Sequence, residues 1–426
     1  MPEHVQPSAL QPPVSPPTGT DMGPAPGRWR ALALIGLGVI GVMSTWFSAT
    51  AIAPDLAALW SLGATQSAWL TIAVQLGFVA GAIAASLLNL PDIVPLPRLI
   101  AISAALAALA NLALLIVPGP GIAIALRFVT GIALAGVYPP AMKLMATWFV
   151  KGRGLALGLL LAGLCFGSSL PHLVRAMTFG LDWKLVVIAT SAAGFVSALV
   201  FAGALREGPH GFARAVFNPR QTFAILRNRP VMLANIGYFG HMWELYAAWA
   251  WLLAYGAAAR SAGLTSFPFA TPEMLAFVAI AMGAPGSLIA GWMSDRIGRC
   301  YTTIALMALS AGCAALIGTA FAGPPWLLAA IALLWGMTVL GDSAQFSAAV
   351  SELAPPDLAG TALTLQTGVG FALTIPAIQL VPVIAEWMGS WQWAFLLLVP
   401  GPLIGIWAMA RLRRMPEAAA LAQGRR

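Results

Sequence analysis

The sequence has few charged residues. Asp, Glu, Lys and Arg together make up 8% of its 426 residues, whereas hydrophobic residues make up 60%. A soluble globular domain carries about 25% charged residues, so this composition excludes an ordinary soluble protein. Only three cysteines are present, Cys165, Cys300 and Cys313, and each lies in or beside an apolar run. This pattern predicts small buried side chains rather than a disulfide framework.

Several chemical motifs are also missing. The sequence contains no Gly-x-x-x-x-Gly-Lys-Ser/Thr string, which argues against an ATP-driven pump. It shows no metal-ligand pattern, no cofactor motif and no soluble catalytic domain. We therefore expect no cofactor, no bound metal and no enzymatic activity.

Apolar sequence, in contrast, is abundant. A membrane-spanning helix needs about 20 apolar residues to cross about 30 Å of hydrocarbon. All such stretches should be helices, because lipid offers an open backbone no hydrogen-bond partners. Twelve predicted spans, numbered one to twelve in chain order, meet this length: 31–53, 66–88, 99–117, 121–148, 154–174, 184–204, 231–256, 274–293, 301–323, 326–350, 360–383 and 391–411.

The net charge of +8 is unevenly distributed. With Met1 on the cytoplasmic side, seventeen of the 22 Lys and Arg residues fall on that side and three on the other. This is the positive-inside bias of membrane proteins, and it argues against nucleic-acid binding as the reason for the basic composition. Both termini are therefore predicted to be cytoplasmic in a cell inner membrane, with 1–27 as a Pro-rich disordered tail and 414–426 as a second tail.

The chain divides into two similar halves. The polar linker 206–229 separates six spans in residues 28–205 from six more in residues 230–413. Internal repeats of this kind are typical of secondary transporters, whose solute lies between the repeats near the middle of the membrane. Three positions in or just after span two correspond to positions 206 residues later, in or just after span eight: Gly77, Ala85 and Asn89 pair with Gly283, Gly291 and Asp295.

A charged cluster lies between spans eight and nine. Residues 291–299 read Gly-Trp-Met-Ser-Asp-Arg-Ile-Gly-Arg, which places an Asp-Arg pair and a terminal Arg in one short turn. This string resembles the cytoplasmic signature loop of the major facilitator superfamily of transporters, and Arg127-Phe-Val-Thr-Gly131 resembles the family's second signature. The resemblance extends over residues 28–413. It implies an all-α membrane protein of twelve transmembrane helices, in two pseudo-symmetric six-helix bundles that rock around a central site.

The resemblance also implies a gating latch, in which the signature-loop acid lies near the start of a helix in the opposite bundle. A helix dipole and its free N–H groups stabilise a carboxylate there by about 0.3–1 kcal/mol. We expect Asp295 to form this latch with span five, and Gly291 to let the backbones approach closely. Asn89 replaces the acid in the first half, so its latch should be weaker. A simpler interpretation is that Asp295, Arg296 and Arg299 only anchor the loop at the headgroups.

Ionisable residues inside the spans are candidate functional residues, because a charge at mid-membrane costs at least about 2.5 kcal/mol on insertion scales. His241 and Glu244 lie three residues apart on span seven, at neighbouring positions of one helical face. With Asp342 of span ten, they are predicted to couple protons to transport. Arg127 of span four is predicted to attract an anionic solute, since its guanidinium fork suits a carboxylate. The alternative is that all four only join neighbouring helices.

Uncharged polar residues of the spans extend the predicted solute site. Gln75 lies in span two, Tyr238 in span seven, Gln345 in span ten and Gln366 in span eleven. Each can form hydrogen bonds with a solute, so we predict that they line the central site with Arg127.

These features predict a monomeric secondary active transporter that moves a small organic anion by alternating access, coupled to protons by symport. Its partners would be the solute, protons and membrane lipids, and not nucleic acid. Efflux of drugs or metabolites by proton antiport is an alternative, and a non-transporting sensor or scaffold with the same fold is another. Nitrate is not favoured, because nitrate porters of the superfamily carry arginines in spans two and eight that this sequence lacks.

Overall fold

The protein is helical throughout the residues that the computed structural model describes. These residues are 25–149, 153–178, 182–210, 222–263, 268–355 and 358–425, with the backbone alone described at Arg153, Gly154 and Thr222. Every regular element in these ranges is an α-helix or a 3-10 helix. The prediction of an all-α protein is therefore confirmed.

The first half contains spans one to six, several of them built from more than one helix. Span one consists of Arg28–Met43 and Ser48–Ala51 and continues into Ala53–Trp60, whereas Ala64–Ser67 leads into span two, Trp69–Leu87. A short helix, Leu90–Ile93, precedes span three, Leu96–Leu112, which ends in the 3-10 turn Ala113–Ile116. The remaining elements are Pro120–Ala135 and Tyr138–Trp148 of span four, Arg153–Met177 of span five and Lys184–Gly203 of span six.

The second half follows a short helix, Thr222–Arg227, in the linker. Span seven is the 33-residue helix Arg229–Ser261, and span eight consists of Pro272–Ala281 and Gly283–Ile297. The other elements are Arg299–Leu316 and Ile317–Ala320 of span nine, Pro325–Gly341 and Ser343–Leu353 of span ten, Ala359–Met388 of span eleven, Ala394–Leu398 and Pro400–Arg413 of span twelve, and a final 3-10 helix, Pro416–Gly424.

Ten helical stretches in these described ranges are long and apolar enough to cross a membrane by length and composition, and they correspond to all the predicted spans except one and seven. Span one is interrupted after Met43, which divides it into short pieces. Span seven is long but carries polar residues such as Asn235, His241 and Glu244. The helices are thus consistent with twelve spans in two halves.

The outer surface of the helices is strongly apolar. Large side chains such as Leu199 (72% exposed) and Trp407 (59% exposed) point away from the protein. A soluble protein rarely exposes so much contiguous apolar surface, whereas a lipid-facing surface requires it. Together with the apolar helices, this surface belongs to a multi-pass membrane protein.

The two halves pack by the same scheme. In the first half span two packs on span four, span three on span six, and span one on spans five and six; in the second half the equivalent pairs are eight with ten, nine with twelve, and seven with eleven and twelve. Between the halves, span two meets span eleven and span five meets span eight. These two cross-contacts are equivalent under the repeat, so the internal symmetry read from the sequence is also present in the packing.

Close helix contacts at glycine recur in both halves. A Cβ atom on Gly77 of span two would lie 2.0 Å from the carbonyl oxygen of Phe128 in span four. A Cβ on Gly286 of span eight would likewise lie 2.0 Å from the carbonyl oxygen of Met337 in span ten. Because small residues allow membrane helices to approach at backbone distance, these glycines set the spacing of equivalent helix pairs.

We predict that Gly286→Ala destabilises the protein by about 1–3 kcal/mol, because the added methyl must push spans eight and ten apart. Gly312→Ala in span nine is the matched control, since nothing lies within 4 Å of its Cβ position. That control should leave stability unchanged or raise it by up to about 1 kcal/mol through helix propensity. Thermal unfolding in detergent measures both, and equal melting temperatures for the two variants would contradict the packing assignment.

Candidate functional site

Six aromatic side chains meet at the centre of the protein, three from each half. Phe78 and Phe371 have ring centroids 4.5 Å apart, and Trp46 stacks on Tyr246 at 5.7 Å. None of the six is more than 7% exposed. We call this set the aromatic plug; it consists of Trp46, Phe47 and Phe78 of the first half and Tyr246, Trp249 and Phe371 of the second. In this conformation the plug closes the space between the halves at mid-membrane.

The halves also touch through polar contacts outside the plug. Thr65, which precedes span two, donates a hydrogen bond to Glu386 at the end of span eleven over 3.3 Å, and its carbonyl accepts one from Gln379 over 3.3 Å. The Cys165 thiol of span five donates to the carbonyl oxygen of Ile280 in span eight over 2.7 Å. All three contacts join elements from opposite halves, so any relative motion of the halves must change them.

The plug depends on the interruption of span one. Its helix stops at Met43 and resumes at Ser48, and the carbonyl groups freed between them face the interior. A buried carbonyl must find another donor, and Arg127 of span four supplies it. Its Nη1 donates to the carbonyl of Thr45 over 2.9 Å, and its Nη2 donates to the carbonyl of Trp46.

The Arg127 guanidinium is fully buried and all its partners are neutral. Besides the span-one carbonyls, it contacts the Ser48 hydroxyl and the Asn111 side-chain oxygen at 3.3 Å each, and the Leu70 carbonyl at 3.4 Å. Arginine stays protonated in proteins, so a positive charge lies behind Trp46. The sequence predicts direct solute contact for Arg127, but in this conformation its donors are directed to spans one, two and three.

Several buried polar atoms of the plug and of the spans that carry it have no hydrogen-bond partner among the described residues. They include Nε1 of Trp46, Nε1 of Trp249, and both amide atoms of Gln75. Gln366 accepts a hydrogen bond from Ser347 over 3.1 Å, but its Nε2 is likewise unpaired. Buried polar atoms are normally satisfied, and exceptions need an explanation such as a missing partner molecule. The plug and the spans that carry Phe78 and Phe371 therefore contain donors and an acceptor that a polar solute would satisfy.

The second half holds a buried pair of ionisable groups beside this region. Nδ1 of His241 lies 2.9 Å from Oδ1 of Asp342, and both side chains are at most 3% exposed. That oxygen has no partner in hydrogen-bond geometry, so the contact has the distance of an ion pair but poor angles. The other ring nitrogen, Nε2, is unpaired in the described part of the chain. The imidazole packs against the rings of Tyr238 and Phe346, each with its centroid at 5.8 Å, and these two rings are 6.3 Å from each other.

The position of Asp342 follows from the repeat. Span ten is interrupted at this residue, between the helices that end at Gly341 and begin at Ser343. Span four is interrupted 206 residues earlier, at Gly136. The second half thus places an acid at a helix break that the first half fills with glycine.

Glu244 forms its hydrogen bonds with residues other than His241 and Asp342. Its Oε1 accepts hydrogen bonds from the Ser310 hydroxyl of span nine and from the Trp335 indole of span ten, each over 2.7 Å. Its side chain therefore joins three helices within the second half. The sequence predicts that Glu244 and His241 act together, but the structure gives each a separate partner.

Tyr238 and Gln345, the other predicted solute residues, lie outside the plug. The Tyr238 ring packs on Gly370 of span eleven, where a Cβ would lie 2.3 Å from it, and its side chain is 7% exposed. Gln345 accepts a hydrogen bond from Arg299 over 2.8 Å, at the predicted cytoplasmic end of span ten. Gln345 thus belongs to the network of the signature loop.

The signature loop is held by Arg299. Its guanidinium forms a bidentate pair with Glu352 of span ten, with Nε to Oε2 at 2.8 Å and Nη2 to Oε1 at 2.6 Å. Bidentate pairs of this type are among the stronger charged hydrogen bonds. Nη1 also reaches the Ser294 hydroxyl over 3.1 Å. Arg296 instead lies over the ring of Trp292, 4.1 Å from its centroid.

The structure describes only part of the predicted latch. The Asp295 side chain is exposed at the end of span eight, which packs on span five. Its expected partner region, near Gly152 and Gly154, has Gly152 outside the described residues. In this conformation the Cβ position of Gly291 has open space, and a close approach to span five falls at Gly283, whose Cβ would lie 2.6 Å from the Cys165 sulfur.

Asn89 has a clear backbone role. Its φ of 50° and ψ of 35° are left-handed, and it separates span two from the helix Leu90–Ile93. Among non-glycine residues, Asn adopts this conformation most readily. The replacement of the family's acid by Asn therefore suits a tight turn at this position.

Sequence reasoning missed several residues of the site. Asn111 was detectable as a lone polar residue inside span three, and it joins Arg127 to Ser48, Thr190 and Ser191. Glu352 was detectable as an acid at the end of span ten, close to a basic loop. The interruption of span one had no such signal, since residues 44–47 contain neither Gly nor Pro.

Comparison with known proteins agrees with this architecture. The sequence model of the Major Facilitator Superfamily matches residues 34–376. A protein of Cupriavidus necator named "Probable sulfoacetate transporter" is 24% identical over 321 residues, which are 68% of this chain and 72% of that protein. A protein of Corynebacterium glutamicum named "Gentisate transporter" is 26% identical over 207 residues, and this match spans 47% of this chain but only 44% of that relative.

Solved structures show the same fold. A nucleoside transporter superimposes with a TM-score of 0.69 at 13% identity, covering 90% of this chain and 99% of its own. A bacterial homologue of the human lysosomal transporter Spinster, in an inward-facing and unoccupied conformation, gives a TM-score of 0.66 at 14% identity. It covers 94% of this chain and 99% of its own. At these identities the likeness concerns the fold alone.

We predict that Arg127→Gln lowers the melting temperature, because it removes the described side-chain donor of the Trp46 carbonyl and leaves the Thr45 carbonyl with the Ser48 hydroxyl, 3.1 Å away. Each unsatisfied buried acceptor costs about 1–3 kcal/mol. Arg98→Gln is the matched control, since Arg98 is exposed and no contact of its side chain is described. Thermal unfolding of the two variants in detergent gives the answer, and an unchanged melting temperature for Arg127→Gln would contradict its role at the break.

Proposed function

The chain belongs to the major facilitator superfamily, and we propose that it moves a small organic anion across a cell inner membrane by alternating access, with protons carried in symport. The observation that carries the proposal is the buried, positively charged Arg127 behind an aromatic plug bordered by unpaired polar atoms. The names of the two sequence relatives, which refer to sulfoacetate and gentisate, support an organic anion as the solute class.

The plug is the proposed solute site. Both indole N–H groups, on Trp46 and Trp249, are donors without partners in the described structure. Gln75 and Gln366 each add an unpaired amide N–H₂ group. A carboxylate or sulfonate accepts several such hydrogen bonds, and the apolar faces of the rings would pack on its carbon atoms. Binding would require the rings to separate, which links occupation of the site to the relative position of the halves.

Arg127 would favour an anion through its electric field. Opposite unit charges attract by about 4 kcal/mol at 4 Å when the effective dielectric constant is about 20. The field falls off with distance, but no described acid contacts Arg127 to cancel it. We therefore replace the predicted direct contact by a positioning role, in which Arg127 holds the span-one break and keeps the solute site positive.

The His241–Asp342 pair is the proposed proton carrier. A protonated imidazole beside a carboxylate has no net charge, whereas loss of the proton leaves the pair with one negative charge. An anion bound nearby would favour the uncharged, protonated pair, and by reciprocity the protonated pair would favour the anion. This linkage couples a proton and an anion in the same direction, as symport requires.

Glu244 receives a different role in this proposal. Its carboxylate joins spans seven, nine and ten through Ser310 and Trp335. Interhelical hydrogen bonds of this kind stabilise membrane bundles by about 1 kcal/mol. We therefore assign proton coupling to His241 and Asp342, and helix packing to Glu244. Gln345 is assigned to the Arg299 network, and Tyr238 to the wall beside His241.

The proposed transport cycle also uses the predicted topology. The two bundles, 28–205 and 230–413, would rock about the plug while the contacts of Thr65 with Glu386 and Gln379 break and re-form. Asp295 would hold span five in one of the two states. We retain the predictions of cytoplasmic termini and a monomer as parts of this proposal.

We predict that proteoliposomes containing the protein exchange labelled sulfoacetate or gentisate, and that an inside-alkaline pH gradient drives accumulation. A difference of one pH unit supplies about 1.4 kcal/mol per proton, enough for about tenfold accumulation in one-to-one symport. Asp342→Asn should keep solute exchange at equal pH but lose the pH-driven accumulation. Glu244→Gln should keep both, apart from a modest loss of stability. Accumulation that depends on Glu244 and not on Asp342 would contradict the assignment.

A second prediction concerns the two signature positions. Asp295→Asn should change the transport rate by about two- to fivefold, since the latch interaction is about 0.3–1 kcal/mol. Asn89→Ala should change it less, because Asn89 carries no charge. The same proteoliposome assay measures both variants. The asymmetry would be refuted by an unchanged rate in Asp295→Asn together with an altered rate in Asn89→Asp.

A further inference from the structure

The last residues of the chain fold back onto the second half. After span twelve, the 3-10 helix Pro416–Gly424 packs against Ser343–Leu353, the final helix of span ten. Ala418 and Leu421 are completely buried in this contact. The segment is therefore docked on its own bundle, whereas the sequence predicts only a cytoplasmic tail.

The docked segment binds the same carboxylate that holds the signature loop. The backbone N–H of Ala422 donates to Oε2 of Glu352 over 3.1 Å, and Arg299 donates to that oxygen over 2.8 Å. The Arg425 side chain also donates to the carbonyl oxygen of Asp295. The C-terminal segment thus contacts the signature loop at the backbone of Asp295. It also contacts Glu352, the residue that binds Arg299 of the loop.

The backbone of the segment is strained at the point of contact. Ala422 and Gln423 have φ values of 45° and 59°, which lie in the left-handed region. Residues with a Cβ avoid this region, and a chain keeps such conformations only where its surroundings impose them. Here the turn aims the Ala422 N–H at Glu352, so the strain is explained by the contact that it makes.

We propose that residues 416–425 position the signature loop, acting through Glu352 and Arg299 and through the Asp295 backbone, so that the end of span eight keeps its place against span five. Arg299 ties the loop to span ten through Glu352 and Gln345. The C-terminal segment adds a second tie, from Arg425 to the carbonyl oxygen of Asp295. Undocking would free the end of span eight and weaken the closed state in which span five lies against span eight.

The inference rests on the proposed transport cycle only for its effect on rate; docking itself is tested without any solute. Hydrogen exchange of the purified, full-length protein would be compared with that of Ala422→Pro. Proline lacks the N–H and cannot adopt a positive φ, so this variant should undock the segment. We expect about tenfold faster exchange in residues 292–298 and 344–353, whereas unchanged exchange there would overturn the proposal.

A variant with the opposite effect shows that misfolding is not the cause of faster exchange in Ala422→Pro. Ala422→Gly keeps the N–H and removes the Cβ that disfavours left-handed backbone, so it should slow exchange in the same residues by about threefold. Ala419→Gly is the matched control, because Ala419 is exposed and lies within the helical part of the segment. Slower exchange in both variants, or in neither, would contradict the role of the strained turn.

A conformational readout separates positioning from mere stabilisation. Cys165 lies at the contact of spans five and eight, so its reaction with a membrane-permeant maleimide reports on separation of the halves. In a protein whose other cysteines are replaced by serine, Ala422→Pro should speed this reaction and Ala422→Gly should slow it. An unchanged rate in both would overturn the positioning role. Absence of any solute flux in the unmodified protein would instead refute the transport proposal and leave this test intact.

Discussion

The hydrogen bonds from Arg127 to the broken part of span one are the interaction on which the centre of this protein depends. In lipid a helix cannot stop at mid-membrane unless its freed carbonyl groups find donors. One guanidinium supplies donors to Thr45 and Trp46, and Asn111 holds that guanidinium from span three. This arrangement lets Trp46 and Phe47 turn inward and meet the second half. The aromatic plug thus depends on the hydrogen bonds that satisfy the interrupted backbone of span one.

The two halves share a packing scheme but differ in charge. The first half contributes a buried cation whose partners are all neutral, and the second contributes His241, Glu244 and Asp342. Equivalent helix breaks in spans four and ten carry glycine on one side and an acid on the other. A repeat that keeps its helix contacts while its buried charges diverge can hold an anion against one half and a proton in the other. This division is the physical basis of the proposed symport.

The cytoplasmic ends show the same divergence. In the second half Arg299, Glu352 and the C-terminal segment form one connected network around the signature loop. In the first half the equivalent turn is made by Asn89 in a left-handed conformation, and the loop that follows it is joined to span four by an ion pair between Asp92 and Lys143, 2.5 Å apart. Each half therefore ties its loop to the helix that ends beside it, but the charged groups that do so differ, and the contact with the C-terminal segment belongs to the second half.

The sequence by itself determined the membrane class, the helical fold, the repeat and the family, because apolar length, charge bias and the 291–299 string are local properties. It also identified the buried ionisable residues, since any charge inside an apolar span stands out. Their partners were decided by the tertiary structure. Residues three apart on one helix, such as His241 and Glu244, bind different partners once the bundle packs: His241 lies beside Asp342, whereas Glu244 accepts from Ser310 and Trp335. A left-handed turn or a broken helix likewise depends on contacts from distant segments, as Arg127 and Glu352 illustrate, and the sequence does not encode those contacts locally.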